Sequence, residues 1–303
     1  MSVQYVAYEQ IDLTKWDACI EGATNGLIYG YSIYLNTMAK QWDALVLNDY
    51  EAVMPLPYNK KYGVYYLYQP FFTASLGVFG SAFSAALIND FLKAIPAKFR
   101  YWDIYLNKSN RFTLTDFTLY ERMNFVLRLD DKYENLYHYF KDNIKRNIKK
   151  TVQLNGSVKR NIPLTEIIIL AQDQALKFSP VTQDSFDRFS KLYQYYYTHK
   201  KAKTYGVYTA KNELVASAVF LFSHNRAYYI LVGNHPNGKT MGASHSLLNA
   251  FIKDHAGQNL VLDFEGSNLS QLAYFYSSFG AIEENYCGIK LNRLPIWARW
   301  LKH

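Results

Sequence analysis

The chain has 303 residues, half of them apolar and 17% aromatic, with a formal net charge of +8. Those values exclude a disordered chain and leave room for two domains, each with its own core. Two cysteines, Cys19 and Cys287, exclude a disulfide framework or a thiolate zinc site and point to a reducing compartment. The start MSVQYVAYEQ lacks the basic and apolar regions of a signal peptide, and the longest mostly apolar stretch, Ser75 to Ile88, is too short to span a bilayer. A cytoplasmic protein without a transmembrane segment is expected. The basic balance suits an anionic ligand, a tRNA or a membrane face without choosing among them.

Val3 to Glu9 alternates as an early strand does, and Leu13 to Ile20 reads as a short helix with Asp12 as N-cap. Trp42 to Leu47, Tyr50 to Tyr58 and Tyr62 to Gln69 form an antiparallel meander, with Pro55 and Pro57 demoting the end of its second strand to an edge or a bend. A small-residue turn then leads to an apolar helix at about Phe83 to Ile95, and Tyr101 to Leu106 is an apolar strand built around Asp103. Phe112 to Tyr120 and Asn124 to Asp130 are expected to pair and close this half. From Asp131 the character changes. Tyr133 to Leu154 reads as one long helix or two abutting ones, with Phe140, Ile144, Ile148 and Val152 as a single apolar stripe. Lys141, Lys145, Arg146, Lys149 and Lys150 occupy the other faces, Asp142 is the only acid from Lys141 to Arg160, and Asn155-Gly156 supplies the C-cap. Ser157 to Ile162 follows as a strand, then helices at Leu164 to Phe178 and Asp184 to His199, the second rich in tyrosine. Lys203 to Ala210 opens a second meander.

That meander repeats the order of the first. A strand (Glu213 to Ser223), an aromatic strand (Ala227 to Gly233), a turn, an apolar helix (Ala243 to His255) and an apolar strand around one aspartate (Leu260 to Glu265) succeed one another. Glu51 and Asp103 are 52 positions apart, Glu213 and Asp263 50, so the halves keep register: the mark of a duplicated fold. The expected class is α+β, two tandem domains of mixed, mostly antiparallel sheet flanked by helices. No linker composition marks the border, so the repeat alone places it, with domains at 1–130 and 131–303. Ligands of such folds lie where strands splay and a helix N-terminus points into the gap.

Two segments can carry chemistry. Between Asn234 and Ser244, Gly238 and Gly242 permit close backbone approach, and the next helical turn offers free amides for a phosphate, with Lys239 adding charge. An ordinary polar turn before a helix is the competing and commoner reading, and the spacing is not that of a P-loop. In Leu260 to Asn268, an aspartate inside an apolar strand must meet a donor, and alternation puts Glu265 on the same side as Asp263. Two carboxylates there can orient or deprotonate an amine. Alternatively Asp263 only braces a neighbouring loop, and Ser267 or Asn268 caps the next helix, Leu269 to Phe279. The histidines show no metal spacing, and no metal is expected.

That helix ends in Tyr274-Phe-Tyr-Ser-Ser-Phe-Gly-Ala281. Tyr276, three residues and Gly280, after an Asn at the helix start, resemble the pattern of the GNAT superfamily of acyl-CoA N-acyltransferases. Ala281 replaces the usual Phe, and the interval from Asn268 to Tyr276 is one residue longer than typical. By that resemblance Tyr276 protonates the leaving group, Gly233, Lys239, Gly242, Ala243 and Ser244 form the cofactor-binding set, and a β-bulge carbonyl lies near Leu231 to Gly233. The basic helix with Lys145 to Lys150 and the late Asp-Phe-Glu-Gly-Ser (Asp263 to Ser267) resemble the duplicated FemAB-like group, whose members transfer amino acids from aminoacyl-tRNA to cell-wall precursor peptides. The resemblance implies acyl or aminoacyl transfer to an amine, with Glu265, Asp263 and Tyr276 catalytic and Lys145, Arg146, Lys149 and Lys150 contacting substrate or tRNA. No tightly bound cofactor is implied, and the donor is aminoacyl-tRNA or acyl-CoA. The rivals are a CoA-dependent N-acetyltransferase, a non-catalytic polyanion binder and a scaffold with a decayed site.

Overall fold

The computed structural model describes residues 2–178, 181–266 and 268–294. In chain order the elements begin with β1 (Val3–Val6), α1 (Leu13–Gly22), α2 (Ser32–Met38), β2 (Gln41–Leu47), β3 (Ala52–Lys61), β4 (Val64–Tyr68), β5 (Phe79–Gly80), α3 (Ala85–Lys93), β6 (Phe99–Leu106) and β7 (Tyr120–Arg122). There follow β8 (Phe125–Arg128), α4 (Tyr133–His138), α5 (Asp142–Gln153), β9 (Ser157–Arg160), α6 (Leu164–Phe178), α7 (Gln183–Thr198), β10 (Ala202–Tyr208), β11 (Leu214–Ser223) and β12 (Arg226–Asn234). The last are α8 (Pro236–Met241), α9 (Ala243–His255), β13 (Val261–Asp263), α10 (Ser270–Ser277), β14 (Ile282–Glu283) and β15 (Tyr286–Asn292).

Two compact units result, one from residues 1–122 and 285–303, the other from Met123–Glu284. Among the described residues the first sheet runs β1-β2-β3-β4-β6-β15-β7 with β5 beside β3, and the second runs β9-β10-β11-β12-β13-β8-β14. The two orders match strand for strand. Each contains one parallel pair in an otherwise antiparallel sheet, β4 with β6 and β12 with β13, and the aspartates take the same register, Asp103 opposite Tyr68 and Asp263 opposite Tyr228.

The border differs from the one expected near Asp130. β8, read as the partner of the strand before it, joins β13 and β14 in the second sheet, while β15, beyond the second unit, pairs with β6 and β7 in the first. Short strands choose partners by non-local packing, and neighbours in sequence pair in only about two-thirds of cases.

Pro55 and Pro57 lie inside β3 rather than at an edge or bend. β2 flanks β3 from Ala52 to Tyr58, but on the other side β5 pairs only with Ala52 and Val53 and β4 only from Tyr58 onward. The prolines occupy the interval between, where on that side no ladder bond is missed.

The long helical stretch is two helices, α4 and α5. Phe140, Ile144 and part of Ile148 face the core, but Val152 is 68% exposed and Thr151 is buried in its stead, donating to the Met241 carbonyl at 2.8 Å. An α-helix advances 100° per residue, so a strict four-residue stripe rotates off the buried face. Asn155, at φ +55°, rather than Gly156, takes the left-handed position after the helix. In the second unit α4, α5, α9 and α10 contribute to one core with the inner faces of β8 and β10 to β13.

Candidate functional site

The second sheet opens where β12 and β13 part. Their pairing stops at Tyr228 and Asp263, although β12 continues to Asn234. At the same point β12 carries a bulge: Val219 faces Leu231 and Phe220 faces Tyr229, so Ile230 is the extra residue, one position before the Leu231 to Gly233 stretch where it was expected. A bulge bends its strand and re-aims backbone groups. On the opposite bank the chain leaves extended geometry, with Glu265 at φ +62° and Gly266 at φ +83°. A left-handed glutamate costs on the order of 1 kcal/mol or more and persists only when its surroundings hold it.

Asp263 does the holding. Its Oδ1 accepts from the Glu265 amide at 2.8 Å and from Asn124 Nδ2 at 3.0 Å, and its Oδ2 meets Arg226 Nη1 at 2.6 Å. Arg226, itself buried, also reaches Glu284 Oε1 at 2.7 Å. Both oxygens of Asp263 are thus engaged within the fold, and one of them holds the Glu265 amide. Arg226 and Asn124 were not singled out in the sequence; an arginine opening an apolar strand is the signal that pairs with the lone aspartate.

Tyr276, on α10, stacks on Phe264 with ring centroids 4.5 Å apart and is 7% exposed. Burial first, then the Glu265 charge, push its phenol well above the usual tyrosine range, so it stays protonated at neutral pH. Tyr229, buried on β12, is raised likewise, by burial first and then by Tyr276. Asn268 does not cap α10: its Oδ1 accepts from the Met123 amide at 3.0 Å, and Leu269 stands at the cap position. Ser267, the other cap candidate, lies outside the described residues.

The segment read as a phosphate turn is closed by packing. Pro236–Met241 is a short helix, and Gly242, at φ +75°, ends it and starts α9. A Cβ on Gly242 would lie 2.6 Å from the carbonyl oxygen of Asn147 on α5, and one on Gly238 2.2 Å from that of Val215. Ala243 is fully buried, the Ser244 hydroxyl is spent on Asn234 Oδ1 at 2.6 Å, and Lys239 is helical rather than poised over an open turn. Gly233 packs against α6, where its Cβ would meet the Ala171 amide nitrogen at 2.9 Å. The glycines sit at close contacts with neighbouring elements, Gly242 against α5, Gly238 against β11 and Gly233 against α6.

The cations of α5 face outward. Arg146, Lys149 and Lys150 have no ion pair among the described residues, Lys145 donates to the His138 carbonyl at 3.1 Å, and Lys141 lies 4.6 Å from the Tyr274 ring centroid. In the first unit the matching opening is filled by its own chain. Gln69 accepts from the Tyr105 amide at 3.0 Å and donates to the Thr73 carbonyl at 2.9 Å, and Leu76 bonds backbone to backbone with Tyr105 and Asn107.

No protein-family model matches the sequence, and no curated protein matches it significantly. Solved structures do match in fold. FemX has 12% identity and a TM-score of 0.63, with 95% of this chain and 97% of that chain covered. The fold is similar to that of FemX, with one strand order repeated in the two units. L-PGS from Bacillus licheniformis is similar at 13% identity and a TM-score of 0.55, covering 96% and 95% of the two chains. The C-terminal domain of a putative lysylphosphatidylglycerol synthetase from Agrobacterium fabrum is similar at 8% identity and a TM-score of 0.50, covering 95% and 94%. Among the described residues no helix is long and apolar enough to cross a membrane.

Proposed function

We propose that the protein is a transferase that moves an aminoacyl group from an activated ester to a primary amine at the opening between β12 and β13 of the second unit. The observation that carries this reading is the conjunction there of the Ile230 bulge, the left-handed Glu265 and the buried, protonated Tyr276. In the reaction the amine nitrogen forms a bond to the ester carbonyl carbon and the ester C–O bond breaks. Glu265 takes the proton that the amine loses, backbone amides at the bulge face the developing oxyanion, and Tyr276 supplies the proton that the leaving alkoxide requires.

The donor that fits best is aminoacyl-tRNA. Its phosphates match the uncompensated Arg146, Lys149 and Lys150, whereas a CoA pyrophosphate would have to enter the α9 N-terminus against Asn147. Acceptors that fit are amines of peptides or small molecules. The test is amide formation from tRNA charged with a radiolabelled amino-acid mixture, offered with a panel of peptide and small-molecule amines. Label in amide product, lost in Glu265→Gln, supports the reading; equal transfer by parent and Glu265→Gln overturns it.

A further inference from the structure

The two copies of the parallel strand pair treat the same carboxylate differently. In the second unit Asp263 takes the guanidinium of Arg226, two residues before its cross-strand neighbour Tyr228. In the first unit Asp103 faces Tyr68 in the same register, and the place of Arg226 is held by Tyr66. Asp103 is partly exposed and has no ion pair among the described residues; the Tyr101 hydroxyl approaches it at 3.5 Å.

Strand alternation gathers Tyr66, Tyr68, Tyr101 and Tyr105 around it on one sheet face. Tyr120 joins them from β7. Its ring lies across Gly288, where a Cβ would come within 2.4 Å of it, so the glycine seats the ring in the sheet. Burial and then the nearby Asp103 charge push the phenols of Tyr101 and Tyr120 up to about 12, which keeps both neutral beside the carboxylate.

We propose that this tyrosine-lined face of the first unit binds an organic cation, an ammonium or guanidinium group, with Asp103 as counter-ion. The second unit shows which complement the carboxylate takes at this register, and neutral rings beside it add cation–π attraction. Among the described residues, two cations stand on the same face. Arg122 is already engaged, 4.1 Å over the Tyr105 ring and 3.2 Å from the Tyr286 hydroxyl. Lys290 is directly opposite Asp103 on β15 but is exposed, and an exposed lysine competes weakly for a carboxylate.

The site is built from residues of the first unit alone, so its test does not depend on turnover. Isothermal titration of the full chain with argininamide and with cadaverine, and with glucose as neutral control, is expected to show binding of both cations and none of glucose. Asp103→Asn is expected to weaken cation binding by about tenfold or more. Tyr66→Arg, which copies the second unit, is expected to put a guanidinium on Asp103 and abolish binding without lowering the melting temperature. Lys290→Ala is expected to leave affinity unchanged or tighten it. Cations that bind no better than glucose, or an Asp103→Asn protein that binds them as well as its parent, would overturn the proposal.

Discussion

Gly242 and Asn147 touch so closely that a methyl group on the glycine would lie 2.6 Å from the asparagine carbonyl oxygen. The basic helix α5 therefore packs on the N-terminus of α9, where the sequence places a candidate phosphate turn. Gly242→Ala combines that clash with a positive φ and is expected to lower stability by about 2 kcal/mol or more. Gly257→Ala, with φ +78° but nothing within 4 Å of its Cβ, is the control, and its cost is expected near 1 kcal/mol. Urea denaturation of the two variants reads the difference; equal costs would show that α5 does not pack there.

The paired aspartates differ in the same measurable way. Asp263→Ala leaves the buried Arg226 without its nearest carboxylate, and a stability loss of about 3–5 kcal/mol is expected. Asp103→Ala removes a partly exposed charge that has no ion pair among the described residues and is expected to cost about 1 kcal/mol or less. Chemical denaturation of both variants checks the ranking, and a reversed order would contradict the assignment of Asp263 as a brace.

Reversing Arg146, Lys149 and Lys150 to glutamate is expected to leave the melting temperature nearly unchanged, because exposed charges contribute little to stability. Binding of tRNA is expected to weaken, and the slope of log affinity against log salt to shrink by about 0.7–0.9 for each phosphate that is no longer neutralised. Filter binding across a salt series measures both. An unchanged slope would make α5 a solvated face.

His245 supplies a pH test. Enclosed between Asn147 and the Phe275 ring, its imidazole is pushed by burial down to about 4 from an ordinary value of 6.5. The unfolded chain binds the proton first, so stability is full above the unfolded value and falls as pH drops from about 6.5 toward 4, by roughly 2–3 kcal/mol. His245→Gln is expected to flatten that part of the profile. Parent and variant with identical slopes between pH 7 and 4.5 would refute the burial of a neutral imidazole.

Much of this was legible in the sequence where the signal is local. The repeated order fixed the register of Asp103 and Asp263, the apolar run from Ala243 to His255 is α9 to the residue, and Asp12 caps α1 through the amides of Thr14 and Lys15. What was not legible is non-local. The exchange of β8 and β15 between sheets depends on partners far away in the chain, and the brace on Asp263 comes from Arg226, 37 residues earlier. Gly242 is ambiguous for a related reason: a glycine that admits a phosphate and one that admits a neighbouring helix look alike in sequence.

The most direct test of aminoacyl transfer from tRNA compares donors in one assay. Aminoacyl-tRNA, deacylated tRNA, acetyl-CoA and CoA are titrated against the intact chain, and the shift in melting temperature is read at low and at physiological salt. A shift with tRNA that shrinks as salt rises is expected, and none with either CoA species. A clear shift with CoA at modest concentration, insensitive to charge reversal on α5, would contradict the tRNA-linked reading.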